Sequence, residues 1–501
     1  MTGASPNTER QSVKLIARNF EKMAELDEKA VGHAAHTKTA VARGLPGPMQ
    51  RPIKVTMLGA GSGFTPTIVR DILQTPGNGG GEIALVDVDR DRLGTMEKVI
   101  SRMVQTSAGD GSAAWTVCAS DNRLDVLSGT DYIVVCVEVS GTDCVRFDND
   151  IPAKYGIDQC IGDTIGPGGL FKALRTVPVF LDILRDAQRL CPKAIVLNYT
   201  NPMSIMCLAA GRAVPDARVV GLCHSVQGTS HLLARRAGIP YEEMTWECAG
   251  INHLAWFTKL EHNGRDLYPL LKEKARSDIA GDPSDPDDGK DLVRKDMMLH
   301  FGAFITESSG HLSEYLPYYR KRAEIMQRYV RDGYDGGSSF YADNWPTWRK
   351  NADEHRMRLV RGDDEIQWER SWEYGSWIIE ACEKDVPYRI HGNVMNNSAG
   401  AGQLITNLPA DGCVEVACLI DRNGVLPTRY GALPPQMAAV CDSNMRMFDL
   451  AATACIERSK QAAIYALLLD PLTSAVCSPD EIQKMTLELF DAEAPFLPGF
   501  K

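Results

Sequence analysis

A doubly wound α/β sheet is the fold class this sequence predicts, and three observations predict it. Ile53–Leu58 is a short apolar run that breaks into Gly59-Ala60-Gly61-Ser62-Gly63-Phe64; a helical stretch over 66–73 follows, and a second apolar run from Ile83 ends in Asp87. Residues 132–137 and 194–197 are two more apolar runs, each stopping in polar side chains, Glu138 and Asn198. A long helical pattern over 169–190 stands between those two runs. Apolar runs alternating with helical periods mark buried parallel strands joined by crossover helices.

Taken in order, residues 10–27 carry Val13, Ile16, Phe20, Met23 and Leu26 at helical spacing, and a polar stretch containing Gly and Pro runs on to Met49. Residues 1–50 therefore read as a helical or flexible extension. Strand, glycine turn, helix and acid-tipped strand then form a Rossmann-like dinucleotide-binding half. Gly59, Gly61 and Gly63, with Ser62 and Phe64 in the same turn, let the backbone approach a pyrophosphate at a helix N-terminus. Asp87 would accept hydrogen bonds from the adenosine ribose and disfavour a 2'-phosphate. A strict three-glycine pattern wants glycine at position 64, where Phe64 stands. A helix over Arg90–Thr106 and a strand over 115–118 continue the alternation. The strand ends at Gly59, Asp87, Glu138, Asn201 and Cys223 are expected to face one crevice, because ligands of such sheets bind beyond the carboxyl ends of the strands.

Residues 51–225 thus read as an NAD-binding domain and 226–501 as a C-terminal α+β domain. Within the second, 282–289 reads as a surface loop, the charged stretch 349–371 as a solvated helical face, and 444–469 as an apolar helical segment packed on the sheet.

Composition removes several function classes. The 501 residues are 44% hydrophobic and 24% charged, ordinary for a globular chain with a large core. The net charge of -11, with no local concentration of Lys and Arg, argues against nucleic acid and anionic membranes as partners. No apolar run is long enough to span a bilayer. The first fifty residues lack the apolar centre of an export signal and carry Glu21, Glu25, Asp27 and Glu28, so a cytoplasmic location is expected. Fourteen cysteines at irregular spacing, several inside apolar runs such as Cys136, Cys207 and Cys418, read as free thiols of a reducing compartment.

Chemistry concentrates over 193–227, where two apolar runs stop in Asn198-Tyr199-Thr200-Asn201-Pro202 and in Cys223-His224-Ser225. A cysteine thiolate and a histidine imidazole are good ligands for a divalent transition metal, with carboxylate or substrate oxygens completing the shell. Cys223 and His253 are thirty residues apart, so nothing local makes them meet. Each candidate has a plainer reading: a buried thiol for Cys223, a packed ring for His253, a helix cap for Asp163, a core tyrosine for Tyr315, a strand end for Asn201.

Further motifs bear on that choice. Gly162-Asp163-Thr164-Ile165-Gly166-Pro167-Gly168-Gly169, Asn198-Tyr199-Thr200-Asn201-Pro202, Cys223-His224-Ser225-Val226-Gln227-Gly228-Thr229, Ala249-Gly250-Ile251-Asn252-His253, Thr306-Glu307-Ser308-Ser309-Gly310-His311 and Val414-Glu415-Val416 succeed one another along the chain. In this set and order the sequence over 52–498 resembles glycoside hydrolase family 4, the NAD- and metal-dependent glycosidases. The Cys223 and His253 motifs together resemble those of its α-galactosidases that cleave melibiose-like α-galactosides. His224 stands where members acting on 6-phosphosugars usually place Asp or Asn.

The resemblance implies NAD+ and Mn2+, or another divalent transition metal, as cofactors. The reaction it implies is hydrolysis by oxidation at sugar C3, deprotonation at C2, elimination of the aglycone, water addition and re-reduction, a scheme outside the usual two-carboxylate mechanism. Cys223 and His253 would hold the metal, and Asn201, His224 and Asn252 would face the sugar. Tyr315 would be the C2 base, with His224 or Asp163 the leaving-group acid; Glu138 would line the cofactor with the glycine turn. A homodimer or homotetramer is implied, acting on a small-molecule glycoside. Three alternatives stay open: an α-glucuronidase or α-galacturonidase of the same family, an NAD-dependent 2-hydroxy-acid dehydrogenase on the same lactate/malate-dehydrogenase-like fold, and a non-catalytic NAD-binding sensor.

Overall fold

Each of those apolar runs becomes a strand. The computed structural model describes residues 44–107, 114–281, 290–398, 400 and 402–501. The helix expected over 10–27 and the loop expected over 282–289 lie outside the described residues.

Six strands, β1 (Ile53–Leu58), β2 (Gly81–Val86), β3 (Trp115–Ser120), β4 (Tyr132–Val135), β5 (Ile195–Asn198) and β6 (Arg218–Gly221), run parallel in the order 3-2-1-4-5-6. That is the strand order of doubly wound nucleotide-binding sheets. Strands β4 and β5 are buried along their whole length, which is why their sequences read as continuous apolar runs instead of alternating ones. β4 ends two residues before the apolar run does, because the Val137 amide leaves the ladder and donates to Thr200 Oγ1 at 3.1 Å.

Beyond β6 the sheet continues with antiparallel strands that the local pattern did not announce. β11 (Tyr388–Met395) joins β6 through Asn393 opposite Gly221, and β12 (Cys413–Asp421) follows, carrying β13 (Gly424–Pro427). Then come β7 (Met244–Ile251), β8 (Leu254–His262) with β9 (Arg265–Asp266), and β10 (Phe304–Ile305). The fold is α/β with a Rossmann-like N-terminal part, and its sheet runs on into the C-terminal part.

Two expectations need correction. The stretch 349–371 is not one solvated helical face: its helix, Phe340–Arg361, ends at Gly362, and the chain turns inward. Arg370 is buried, pairs with Glu380 and lies over the Trp377 ring at 3.8 Å; Lys384 pairs with the same carboxylate. The apolar segment 444–469 is two helices, Pro435–Glu457 and Lys460–Leu469, separated where Arg458 takes a left-handed φ of 52° and Ser459 caps the second. They pack against the helices Gly166–Leu190 and Met203–Ala213 as well as β7. All fourteen cysteines are free thiols. Among the described residues no helix is long and apolar enough to cross a membrane.

Candidate active site

Close approach of backbones shapes the cofactor end of the crevice. Gly59 follows β1 with φ 77°, and a Cβ there would lie 2.4 Å from the Cys136 carbonyl oxygen at the end of β4, so no side chain fits. The Gly61 amide donates to Asp87 Oδ2 at 2.7 Å and Arg92 Nη2 to the Gly61 carbonyl at 2.6 Å, which ties the turn to the tip of β2. Gly63 precedes the helix Phe64–Leu73, and Phe64, exposed at its first position, faces Tyr199 with ring centroids 6.0 Å apart. The Ser62 hydroxyl accepts from the Phe64 amide.

A second loop, ending at Asp163, is folded onto the start of the helix Gly166–Leu190. Gly169 is required there, since a Cβ would meet the Thr164 backbone at 2.4 Å. The Glu314 carboxylate fastens the loop from the other side, accepting the amides of Cys160 at 2.5 Å, Ile161 at 2.7 Å and Gly162 at 3.2 Å. Asp163 in turn accepts from Thr164 Oγ1 at 2.6 Å and Asn201 Nδ2 at 3.3 Å, and lies 3.4 Å from Lys172 Nζ. Lys172 reaches Glu138 at 3.1 Å, so the tips of β4 and β5 and this loop meet around one lysine. Burial would raise the Asp163 carboxyl, but Lys172, His311 and the Thr164 hydrogen bond outweigh it and hold it far below the usual carboxylate range. Asp163 is therefore an ionised acceptor at neutral pH. The Asn201–Pro202 peptide beside it is cis.

Cys223, His253 and Glu307 come together from three elements, their ligand atoms all within 4.8 Å of one another. Cys223 lies between the end of β6 and the helix Ser225–Ala237, His253 in the tight turn joining β7 to β8, and Glu307 just beyond β10. His253 and Glu307 hold left-handed φ values of 61° and 67°, uncommon for residues with side chains and frequent at functional sites. Burial pulls the His253 ring down to about 4 despite Glu307, so it is neutral, the form that ligates a metal. Glu307, despite burial, is drawn down to about 2 by His253, His311 and the Tyr334 phenol. Burial, Glu307 and Glu415 push the Cys223 thiol well up. A dication among these groups would reverse that shift, and thiolate, imidazole and carboxylate are a donor set for a divalent transition metal.

Unsatisfied polar atoms collect around the same three residues. His253 Nδ1, His311 Nδ1, Tyr315 Oη and both amide atoms of Asn252 are buried without a hydrogen-bond partner among the described residues. Buried polar atoms are nearly always paired, so a cluster of orphans fits a missing polar ligand. The Tyr315 ring is 6.4 Å from that of His253. Burial, then the charges of Asp163, Glu314, Glu307 and Cys223, pushes its phenol far above the ordinary value; only added positive charge would make it a base.

His224 behaves oppositely. Its ring is half exposed, 3.5 Å from Glu373, and that contact, opposed by burial, pushes it up to about 9, so it is an imidazolium at neutral pH. Glu373 arrives on the inward-turning segment that Arg370 anchors, where Ser371 N donates to Asp71 at 2.9 Å and Trp372 O accepts from Gln227 at 2.9 Å.

Glu307 and Glu373 are the residues that sequence reasoning missed individually. Glu307 lay within a recognised motif, Thr306-Glu307-Ser308, and a demand for a carboxylate to complete a Cys-His pair is the signal that would have found it. Nothing local marks Glu373.

A description of known proteins fits this geometry. The model "Family 4 glycosyl hydrolase" matches residues 54–239, and "Family 4 glycosyl hydrolase C-terminal domain" matches 248–473. The α-galactosidase of Bacillus subtilis (strain 168) is 35% identical over 454 residues, spanning 89% of this chain and all of that protein. The α-galactosidase of Rhizobium meliloti (strain 1021) is 35% identical, covering 89% of each chain. An α-galacturonidase of Lachnoclostridium phytofermentans is 28% identical, over 89% of this chain and 97% of its own. Among solved structures, the Bacillus subtilis protein lplD superposes with a TM-score of 0.76 at 26% identity, covering 88% of this chain and 100% of that one. The 6-phospho-beta glucosidase of Thermotoga maritima, solved with manganese, NAD+ and glucose-6-phosphate, gives 0.70 at 20% identity, covering 89% and 99%.

Proposed function

This chain belongs to glycosyl hydrolase family 4, and from that premise we propose that it hydrolyses unphosphorylated α-glycosides, α-galactosides foremost, with NAD+ at the glycine turn and a divalent cation at Cys223, His253 and Glu307. The observation that carries the site is the buried thiol, imidazole and carboxylate within 4.8 Å of one another, beside the orphaned Tyr315 phenol. The substrate class is supported by the 35% identity to two α-galactosidases, and the cofactors by the family member solved with NAD+ and manganese.

Bound there, NAD+ would accept and later return the hydride of sugar C3, and the cation would polarise the oxygens on C2 and C3. The protein's part is binding and proton transfer. Asp163, ionised, would accept from a ring hydroxyl, with Asn201 and Asn252 as amide partners of the hydroxyls around it. Tyr315, as phenolate, would take the proton from C2. As the bond from C1 to the aglycone oxygen breaks, the His224 imidazolium would give that oxygen a proton. Of the two acids the sequence left open, His224 fits because it holds a proton at neutral pH and Asp163 does not. Water would then add at C1, giving its proton to the His224 imidazole left neutral by the elimination, while Tyr315 returns a proton to C2.

Two measurements test this reading. A panel of p-nitrophenyl glycosides with NAD+, Mn2+ and a thiol reductant is expected to give its highest kcat/KM on the α-galactoside, without accumulation of NADH. Hydrolysis that survives stripping of both cofactors, or stoichiometric NADH from lactate or malate, would sink it. The acid assignment has its own test in Glu373→Gln. A histidine raised by a carboxylate keeps its proton up to the raised value and loses it above, so removing the partner should let His224 fall back toward about 6.5. The alkaline limb of kcat/KM for melibiose should move to lower pH, while that for a p-nitrophenyl glycoside, whose leaving group needs no proton, should stay. Equal movement of both limbs would assign the proton elsewhere.

A further inference from the structure

Five aromatic side chains form an unbroken row beside the candidate metal ligands. Tyr334 donates its phenol to Glu307 Oε1 at 2.5 Å. From there ring centroids step to Phe340 at 6.3 Å, to Trp348 at 5.4 Å, to Tyr341 at 6.2 Å, and to Trp345, stacked on Tyr341 at 5.1 Å and 18°. The far end is also tied to the site. Ser339 N donates to the Gln159 carbonyl at 2.7 Å and Tyr341 N to the Cys160 carbonyl at 2.9 Å, the loop that presents Asp163. The row therefore runs from Glu307 to the loop that leads to Asp163.

Its rings are not closed into the core: Tyr334 is 48% and Trp348 40% exposed, and Phe340 and Trp345 are half-buried. Single exposed aromatics are ordinary, but a contiguous set held at one end by Glu307 and, through the Tyr341 amide, by the loop that leads to Asp163 is placed to meet a ligand of the site. Its chemistry suits a sugar. A pyranose offers a face of C–H bonds to the negative face of an aromatic ring and leaves its hydroxyls at the rim in water. The galactosyl unit itself needs the polar groups inside, Asp163, Asn201 and the three candidate ligands. The rest of such a substrate would extend outward across the row.

We propose that this row is an aglycone subsite, on which the sugar units beyond the scissile bond of an α-galactosyl oligosaccharide stack, so that the enzyme favours oligosaccharides over simple galactosides. The proposal rests on the glycosidase reading above. The test compares the full-length protein with Trp348→Ala and Trp348→Phe on methyl α-galactoside, melibiose, raffinose and stachyose. The wild type should gain in kcat/KM with chain length. The ratio of raffinose to methyl galactoside should fall about tenfold in the alanine variant and be largely retained in the phenylalanine variant. Sucrose, the aglycone of raffinose, is titrated calorimetrically in parallel and should bind the wild type measurably tighter than Trp348→Ala. That readout needs no turnover: if no glycoside is hydrolysed at all, the glycosidase reading fails while sucrose still decides this proposal. A chain-length gain unchanged in Trp348→Ala, equal sucrose binding, or loss of an oligomer in Trp348→Ala by light scattering, which would make the row a contact between copies of this chain, each overturns it.

Discussion

Cys223→Ser is expected to lose Mn2+ binding and about a thousandfold in kcat/KM while NAD+ binding and the melting temperature change little. The three candidate ligands come from the end of β6, the turn from β7 to β8 and the residue after β10, so the cation would join elements far apart in sequence. A serine hydroxyl stays protonated near neutral pH and cannot replace a thiolate. Losing a first ligand should cost more than the roughly 10–100-fold typical of an outer partner. The fold should tolerate the change because a hydroxyl replaces the thiol at nearly the same volume and can keep the contact with the Ser225 hydroxyl, now at 3.3 Å. Electron paramagnetic resonance of free Mn2+ measures the metal and cofactor fluorescence measures NAD+. Full activity in this variant would refute the ligand assignment.

Tyr315→Phe should be the second largest loss, roughly 10²–10⁴-fold in kcat as for a general base. The substitution removes one oxygen that has no partner among the described residues, so it leaves the packing of a fully buried ring intact. Stability should be unchanged or slightly higher, since an unsatisfied buried hydroxyl is removed. Metal and NAD+ affinities should also persist, which separates a proton-transfer role from a structural one. A variant within a few-fold of wild type would move the base to another residue.

Much of the fold is legible locally. Ile53–Leu58 and Arg90–Thr106 can be read off as a strand and a helix because burial on both faces and helical periodicity leave local traces. The docking of β11 against β6 leaves none: one residue pair, Asn393 with Gly221, joins segments more than 170 residues apart. The same distinction governs the site. The glycine turn and Asp87 form a local motif, and Cys223 and His253 are identifiable through family motifs. Glu307 holds a left-handed backbone, and its carboxylate lies beside Cys223 and His253, which are distant in sequence. Glu373 was hidden in a charged region, because the burial of Arg370 against Glu380 and Trp377, which turns that segment inward, is a tertiary event. Protonation states are the least legible: the sequence offers His224 or Asp163 as the acid, and only the fold places the Glu373 and Lys172 charges beside them.

The most direct test of the central claim is solvent deuterium at C2. With NAD+, Mn2+ and reductant present, galactose released from an α-galactoside in D2O should carry deuterium on carbon 2, read by NMR or mass spectrometry, because on the proposed mechanism Tyr315 would exchange its proton with solvent before returning one to the sugar. Galactose released at full rate with only hydrogen at that carbon would contradict the account.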